Sequence, residues 1–442
     1  MATASSSTQR SLGLATTTSI VLGNMVGSGV FLLPASLAVF GVYSLWGWGF
    51  STFGALLLAW VFSNLSRRLP KAGGPYAYPR EAFGDFAGFL IAWIYWLSIV
   101  GTNAAIAVAF ASYLVIFIPS LATSALSGAI AALAATWLLT GINILGVRAA
   151  GRLQLITVIL KLTPLFALAF FGIFHFDVHV LTSGHTTDSP LSAINSCAAL
   201  TMWAFLGLEC ATVPADHVKD PEKTIPRATL LGTVIAGVFY IVCTTVVMGI
   251  IPSDTLAHSN APFADAAKLL WGNWAGYLIA AAALVSCFGA LNGWILMQGQ
   301  LPQAVANNGL FPKVLAKESK FGTPVVALVV SSVFASILIL MSLGSSLGGL
   351  GQTLVEMFNI LILITTFFTL VPYMLCAMAE MVLSRKQKRS SNVRIRDLVI
   401  ASGAFIFGLW AAAGTGKDSL YWGTLLLLAG LPIYVWQTRK AK

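Results

Sequence analysis

The chain has 442 residues, of which 57% are hydrophobic and 9% are charged. Ordinary globular domains carry about 25% charged residues, so the composition argues against a water-soluble protein and indicates a membrane protein that has the lipid bilayer as its partner. The formal net charge of +10 requires no nucleic-acid partner, because basic loops on one side of the bilayer and attraction to anionic headgroups account for it.

The apolar residues divide into about twelve segments of the roughly 20 residues that a helix needs to cross hydrocarbon. The sequence therefore predicts an all-α polytopic membrane protein. The first segment also resembles a signal peptide, because Arg10 precedes it and small residues follow Pro34, but eleven further segments favour uncleaved insertion. The predicted spans 1 to 12 cover residues 12–39, 43–65, 86–118, 125–147, 153–176, 191–213, 227–251, 273–303, 323–343, 351–384, 396–413 and 419–437.

Span 1 carries the sequence GNMVGSGVFLLP at residues 23–34, in which Gly27, Ser28 and Gly29 predict that the helix breaks at its middle. Unwound backbone at membrane depth is tolerated only where it lines a water-filled or substrate-filled cavity. The half-helix after such a break presents free N–H groups and the positive end of its dipole, which suits a carboxylate. The alternative is a close contact between two helices at Gly23 and Gly27, which are four residues apart.

Span 6 carries MWAFLGLEC at residues 202–210, in which Gly207 predicts a second break. Paired broken helices in the two halves of a polytopic protein indicate a secondary transporter. Glu209 follows this break directly, and a carboxylate at the bilayer centre costs about 2.5 to 3.5 kcal/mol on insertion scales. We expect it to load and release a proton in compensation, and the alternative role is a structural hydrogen bond to a neighbouring helix.

Lysine and arginine predict the orientation of the chain, because positive residues in short loops stay on the cytoplasmic side. Nearly all of the 25 basic residues fall on one side of the predicted spans, whereas Lys268 and Lys417 fall on the other. Both termini are therefore expected to be cytoplasmic. The basic segments are residues 10, 67–80, 148–152, 219–227, 313–320, 385–396 and 439–442.

No motif in the sequence indicates an enzyme, a metal site or a cofactor. The cysteines form no CxxC pair, no histidine cluster accompanies them, and no glycine-rich phosphate loop is present. The loops are too short for an enzymatic or ligand-binding domain, which argues against an enzyme and against a receptor-like sensor. Glu209 lacks the partnered His or Asp that an intramembrane hydrolase would need. The cysteines are Cys197, Cys210, Cys243, Cys287 and Cys376.

Six motifs spread over essentially the whole chain resemble those of the amino acid, polyamine and organocation transporters, and most of all the bacterial basic amino acid/polyamine antiporters. They are GNMVGSGVFLLP at 23–34, GGPYAY at 73–78, WAFLGLE at 203–209, KDPEKTIP at 219–226, NGLFP at 308–312 and TLVPY at 369–373. The resemblance implies a bacterial inner (plasma) membrane protein, a homodimer, and small cationic amino acids and amines as substrates.

The same resemblance implies a LeuT-like fold in which two groups of five spans form inverted repeats, with spans 1 and 6 broken. The chain then divides into a cytoplasmic tail at 1–11, a first repeat at 12–176, a second repeat at 191–384, spans 11 and 12 at 396–437 and a cytoplasmic tail at 438–442. Spans 11 and 12 are often used in dimer contacts in this family.

Carried over position by position, the resemblance implies a substrate site around both breaks. The substrate's carboxylate and α-amino group would meet backbone near Asn24, Ser28 and Gly29, and carbonyl groups near Trp203 and Leu206. Its cationic tail would point toward spans 3 and 10, with two tryptophan faces against the substrate. A tryptophan face within about 6 Å of a cation supplies roughly 0.5 to 2 kcal/mol, although packing is the commoner role of a tryptophan. The residues assigned to the tail and the stacking are Ser98, Ile99, Asn103, Thr365, Trp203 and Trp294.

Four further residues match gating or proton-responsive positions. Tyr95, Glu209 and Tyr373 match the family's outer gate. Lys161 resembles the helix-5 lysine of proton-coupled permeases and light-chain-type exchangers, whose ammonium bridges helices 1 and 8. This ammonium would either carry a coupling proton or tie the helix-1 backbone in place.

These features imply an obligate exchanger of a basic amino acid for its decarboxylated amine by alternating access. Arginine/agmatine stands ahead of ornithine/putrescine and lysine/cadaverine. The chain departs from the arginine exchangers, however, where Ser98, Ile99 and Ile106 replace their Ala, Cys and Met. The alternatives are a proton-coupled amino acid permease, which Lys161 favours, and a neutral amino acid exchanger.

Overall fold

The structure, a computed structural model, describes residues 12–27, 29–69, 74–146, 162–184, 186–212, 218–344, 353–385 and 391–440. Ser28 and Lys161, two of the predicted site residues, lie outside these ranges. The described residues are helical and contain no β-sheet, only an isolated parallel bridge between Leu12 and Val218.

The helices follow one another with short connections. Up to the middle of the chain they are α1 (Leu14–Met25), α2 (Gly29–Leu37), α3 (Tyr43–Arg68), α4 (Ala77–Phe83), α5 (Asp85–Leu114), α6 (Ala125–Ile144), α7 (Leu162–His175), α8 (Val178–Leu181) and α9 (Pro190–Met202). Beyond it they are α10 (Pro221–Met248), α11 (Ser253–Ala257), α12 (Pro262–Trp271), α13 (Asn273–Asn307), α14 (Val325–Gly344), α15 (Leu354–Arg385), α16 (Ser391–Ala413), α17 (Lys417–Leu428) and α18 (Leu431–Lys440).

Each predicted span overlaps a helix or a pair of helices, so the all-α polytopic architecture is confirmed. Within the described ranges, ten helices are long and apolar enough to cross a membrane, and the α1–α2 pair, bent by 42°, makes eleven. Predicted span 5 corresponds to α7, a shorter apolar helix that starts at the edge of a described range. Predicted span 12 is divided between α17 and α18.

α5 is the central helix of the molecule. Its most apolar stretch is almost entirely buried, and its most extensive contacts are with α15 and α13. Gly101 permits the close approach of α15, because a Cβ at this position would lie 2.3 Å from Oγ1 of Thr365. Small residues at such contacts are typical of helices that pack inside a bilayer, where close approach rather than hydrophobic exclusion holds helices together.

The outer surface is apolar, as a lipid-facing surface requires. Phe53, Phe166, Val238 and Ile406 each leave more than half of their accessible surface exposed. In water an apolar exposed surface of this extent would be a binding or aggregation site. On a polytopic helical protein it is the face that contacts acyl chains.

A buried charge cluster ties three helices together at one end of the bundle. Arg68 at the end of α3 lies 2.7 Å from Oε1 of Glu380 on α15 and 3.6 Å from Oδ2 of Asp397 on α16. All three side chains are at most 3% exposed. Arg396 also lies 3.2 Å from Asp397 and stacks on the ring of Trp60. The cluster lies beside the basic segments 67–80 and 385–396.

A second tie joins the start of the described chain to the segment that follows the second predicted break. The Lys219 N–H donates to the Leu12 carbonyl at 2.9 Å, next to the bridge between Leu12 and Val218. Leu12 precedes α1 and Val218 precedes α10. The two segments therefore meet at the same end of the molecule.

Candidate functional site

The first helix is interrupted where the sequence predicts it. α1 ends at Met25, after which the Val26 N–H still donates to the Leu22 carbonyl, and the Gly27 N–H turns back to the Met25 carbonyl at 2.9 Å. α2 then begins at Gly29. Its first backbone N–H groups have no carbonyl one turn earlier in the same helix, so they can donate hydrogen bonds to a ligand oxygen.

The second helix is interrupted over a longer stretch. After α9, a 3₁₀ turn covers Trp203–Phe205, Leu206 is extended, and Gly207 has a φ of +102°. A left-handed backbone of this kind favours glycine. Backbone groups that the break frees find other partners, since the Ala204 carbonyl accepts from the hydroxyl of Tyr240 at 3.1 Å.

The two breaks touch each other at two glycines. A Cβ on Gly207 would lie 3.2 Å from Cβ of Asn24, and a Cβ on Gly29 would lie 2.9 Å from Cζ3 of Trp203. Both glycines thus allow one unwound backbone to pass against the other.

A cavity of about 10 Å³, with room for about one water molecule, lies where the breaks cross. This volume is below the roughly 300–1,000 Å³ of typical ligand pockets, so a bound substrate requires the cavity to widen. Unwound backbone, two indole rings and one face of α5 form its wall. The lining residues are Asn24, Met25, Gly27, Gly29, Thr102, Ile106, Trp203, Leu206 and Trp294.

Five of the residues predicted to bind substrate therefore line one cavity, namely Asn24, Gly29, Trp203, Leu206 and Trp294. Residues 25, 27 and 102 were not predicted. The sequence contained enough to predict Thr102 as a lining residue, because it precedes Ile106 by one helical turn on the same face of span 3.

Four other predicted residues lie close by but outside the cavity wall that the described residues form. Ser98 donates to the Tyr95 carbonyl at 2.7 Å, Ile99 is fully buried, and Thr365 packs against Gly101. Asn103 donates to the side chain of Gln298 at 2.7 Å. Their roles as ligands remain predictions.

Several buried polar atoms beside the cavity have no hydrogen-bond partner among the described residues. They include Nε1 of Trp203, Oδ1 of Asn103 and Oγ1 of Thr365. Buried polar atoms are nearly always hydrogen-bonded, and each exception calls for an explanation such as a ligand or a water. Of these three residues only Trp203 lines the cavity, which leaves its indole N–H for a polar ligand there.

Glu209 forms a hydrogen-bonded cluster with two tyrosines from different helices. Tyr95 on α5 donates to Oε1 at 2.6 Å, Tyr373 on α15 donates to Oε2, and the Gly207 N–H donates to Oε2 at 3.2 Å. The glutamate is 1% exposed. The cluster ties α5 and α15 to the second break through one ionisable group.

The assignment of Tyr95, Glu209 and Tyr373 to the outer gate stays a prediction, but the structure shows at which end of the bundle their cluster lies. Tyr95 lies in the first third of α5 and Tyr373 in the second half of α15, and these helix ends adjoin the basic segments. The ring of Phe62, near the Arg68 end of α3, packs on Tyr373 at 5.1 Å. The cluster therefore lies toward the end of the bundle that carries these basic segments. The predicted outer gate and the predicted cytoplasmic basic segments would share this end, so the two predictions exclude each other.

The chain matches the family model described as amino acid permease over residues 12–431. It is 38% identical over 373 residues to the cadaverine/lysine antiporter of Escherichia coli strain K12. The alignment covers 83% of this chain and 82% of the relative. It is 31% identical over 427 residues to the putrescine transporter PotE of the same strain, which covers 96% and 95% of the two chains.

Among solved structures, a mutant manganese transporter of Eremococcus coleocola superposes with a TM-score of 0.63 at 15% identity, covering 96% of this chain and 94% of that one. Such a likeness establishes the fold alone, and it confirms the expected LeuT-like fold. The described part of this chain holds no group of three His, Cys, Asp or Glu residues that could bind a metal ion.

The matches are to transporters rather than enzymes, and they extend over most of the chain. They agree with the motifs around both breaks and with the cavity at which the breaks cross. The chain therefore belongs to the amino acid permease family, within the basic amino acid/polyamine antiporter group of the amino acid, polyamine and organocation superfamily.

Proposed function

We propose that the protein exchanges a basic amino acid for its decarboxylated amine by alternating access. The observation that carries the proposal is the cavity at the crossing of two broken helices, lined by Trp203 and Trp294. Freed N–H groups at the start of α2 suit the substrate's carboxylate, and the indole faces suit its cationic tail.

Lysine and cadaverine are the leading pair, with ornithine/putrescine next. This order follows the named relatives, one of which is a cadaverine/lysine antiporter and another a putrescine transporter. The motifs alone favoured arginine/agmatine, but Ile106 lines the cavity where arginine exchangers carry methionine. We therefore place arginine/agmatine third.

Counterflow in proteoliposomes tests this proposal. Vesicles loaded with unlabelled lysine should accumulate labelled lysine, and external cadaverine, putrescine, agmatine, ornithine and arginine should compete in the proposed order. Vesicles loaded with a neutral amino acid such as leucine serve as the control. Failure of every basic amino acid and diamine to exchange would refute the substrate class.

A proton-coupled permease is the second candidate, because Lys161 in the sequence matches the helix-5 lysine of such proteins. Vesicles that contain no substrate distinguish the two functions. An obligate exchanger takes up almost no lysine when an inward proton gradient is imposed, whereas a permease accumulates it. Strong uptake into empty vesicles that is lost in Lys161→Ala would favour the permease.

We also propose that the protein lies in a bacterial inner membrane with both termini cytoplasmic, because the basic segments share one side. The exposed apolar residues Ile406, Leu409 and Tyr421 on α16 and α17 suit a homodimer contact of the kind that the family resemblance implies. Reporter fusions at the C-terminus test the orientation. Cysteine crosslinking across α16 in native membranes tests the dimer.

A further inference from the structure

A line of hydrogen bonds through Asn103, Gln298, Ser332 and Thr140, which we call the relay, crosses four helices. Nδ2 of Asn103 on α5 donates to Oε1 of Gln298 on α13 at 2.7 Å, and Nε2 of Gln298 donates to Oγ of Ser332 on α14 at 2.8 Å. Oγ of Ser332 lies 2.7 Å from Oγ1 of Thr140 on α6, which lies 2.7 Å from the Thr136 carbonyl. The four side chains are at most 1% exposed.

The direction of every bond in this line follows from its last member. A backbone carbonyl only accepts, and in the structure Thr140 donates its single proton to the Thr136 carbonyl. Ser332 must then donate to Thr140, because two hydroxyl oxygens 2.7 Å apart need a proton between them. With its own proton so used, Ser332 accepts from the NH₂ group of Gln298.

The same reasoning fixes the amide of Asn103. Gln298 turns its NH₂ group to Ser332 and therefore its oxygen to Asn103, which must meet that oxygen with an NH₂ group. The oxygen and nitrogen of an amide look alike by shape alone, so a bonded chain is what distinguishes them. Here the relay leaves Oδ1 of Asn103 buried and without a hydrogen-bond partner among the described residues.

This oxygen belongs to a residue that adjoins the cavity lining along the chain. Asn103 follows Thr102 on α5, and Gln298 follows Trp294 by one turn on α13, and both preceding residues line the cavity. We propose that Gln298, Ser332 and Thr140 are positioning residues that hold the Asn103 amide with its carbonyl oxygen toward the substrate. That oxygen accepts from the ammonium or guanidinium of the cationic tail, an assignment that rests on the proposed function.

A free carbonyl oxygen on Asn103 selects substrates whose tail ends in hydrogen-bond donors. A tail that carries only N–H groups satisfies the free oxygen, whereas an apolar tail leaves it unpaired and a carboxylate tail repels it. A site that leaves a buried polar group unpaired discriminates strongly against the wrong substrate. If the amide of Asn103 turned over, its NH₂ group would face the cation and this preference would be lost.

Thr140→Val tests the relay at a residue far from the substrate. Valine has nearly the shape of threonine but has no hydroxyl to accept a hydrogen bond from Ser332. The direction of the hydrogen bonds in the relay is then no longer imposed. We expect the Kd of lysine to rise about five- to tenfold, as the loss of one hydrogen bond implies. The Kd of norleucine, which lacks the terminal ammonium, should not change.

Matched variants separate positioning from a general effect on stability. Thr140→Ser keeps the hydroxyl and should bind lysine as the wild type does. Ser336→Ala removes a hydroxyl one turn from Ser332 on the same helix but outside the relay, and should also leave binding unchanged. Ser332→Ala removes the acceptor of Gln298 and should reproduce the Thr140→Val loss, which keeps the test open if the valine variant misfolds.

A double variant gives the sharpest outcome. In Asn103→Asp an oxygen faces the cavity whichever way the side chain turns, so adding Thr140→Val should no longer weaken lysine binding. Lysine affinity equal to the wild type in both Thr140→Val and Ser332→Ala, or an undiminished loss in the Asn103→Asp background, would overturn the relay while the proposed function stood. A wild type that bound neither lysine nor cadaverine would overturn both.

Discussion

The two tryptophans of the cavity differ in the backbone that carries them. Trp203 packs edge-on against Phe358 with ring centroids 5.3 Å apart, and its ring closes on Gly29. Trp294 lies on the regular helix α13 beside Gly293, where a Cβ would meet nothing within 4 Å. Trp203 therefore comes from unwound backbone and Trp294 from a regular helix, although both rings are buried.

Replacing Trp294 should show whether the indole stacks on the cationic tail. We expect Trp294→Leu to weaken lysine binding by about 0.5 to 2 kcal/mol, whereas Trp294→Phe retains a larger part, because attraction to a cation requires an aromatic face. Isothermal titration of the purified variants measures the difference. Equal losses in the Leu and Phe variants would show that Trp294 contributes shape alone.

Glu209 should control how exchange responds to pH. Glu209→Gln keeps an oxygen that accepts from one tyrosine but cannot take up or release a proton, so we expect the pH profile of exchange to flatten. Tyr373→Phe removes one bond to Glu209 and keeps the carboxyl, so it should displace the profile without flattening it. Exchange rates over a pH series check both expectations, and an unchanged profile in Glu209→Gln would contradict the assignment.

At this scale the sequence predicted which residues lie at the two breaks better than it predicted their contacts. Glycines and a lone carboxylate inside apolar spans mark Gly29 and Glu209, because such residues are costly or unusual at membrane depth. The bond between Asn103 and Gln298 joins positions 195 residues apart. Such a contact depends on how helices pack, which no local pattern contains.

At the scale of elements, the second break depends on one backbone angle. Gly207→Ala places a Cβ on a backbone with a φ of +102° and 3.2 Å from Cβ of Asn24. We expect a loss of about 1–3 kcal/mol of stability and little remaining exchange. Gly289→Ala is the control, since its Cβ meets nothing within 4 Å on α13. Thermal unfolding in detergent compares the two, and similar melting temperatures would argue against a strained break.

The charge cluster at the end of α3 should stabilise the bundle far more than a surface ion pair. Arg68→Ala removes the cation between two buried carboxylates, and breaking a buried pair costs roughly 3–5 kcal/mol. Arg80 pairs with Asp85 at the same 2.7 Å, but the two side chains are 32% and 64% exposed. We expect Arg80→Ala to cost at most about 1 kcal/mol. Equal destabilisation of the two variants would refute the distinction.

Hydropathy located the spans because length and apolarity suffice to identify a transmembrane helix. It placed the start of span 7 at residue 227, whereas α10 begins at Pro221, since polar turns outside the hydrocarbon are invisible to it. It predicted span 12 as one segment, and Lys417–Gln437 is one candidate span in the structure, with a turn near Gly430 between α17 and α18. A Cβ at Gly430 would lie 2.7 Å from the ring of Trp93 on α5, a contact that the sequence does not show.

At the scale of the whole molecule, the fold agrees with the family, and the division into repeats at 12–176 and 191–384 stays a prediction. Each proposed repeat begins with an interrupted helix, α1–α2 in the first and the α9 segment in the second. An arrangement of this kind places the substrate between two halves that can move relative to each other.

Exchange should respond to membrane potential, because lysine carries one positive charge and cadaverine two. One net charge then leaves the cell per cycle, which is worth about 2.3 kcal/mol per 100 mV. We expect an inside-positive potassium diffusion potential to accelerate lysine uptake into cadaverine-loaded vesicles. Lysine uptake into lysine-loaded vesicles moves no net charge and should not respond. The same voltage dependence in both would contradict exchange of unequal charges.

The bridge between Leu12 and Val218 fastens the segment before α1 to the segment before α10. When the start of α1 swings outward, the chain leading into α10 must swing with it or the hydrogen bond from Lys219 to Leu12 must break. Two segments about 200 residues apart in sequence thus move as one unit. Opening at that end then requires both segments to move together, so a contact that immobilises one segment also immobilises the other.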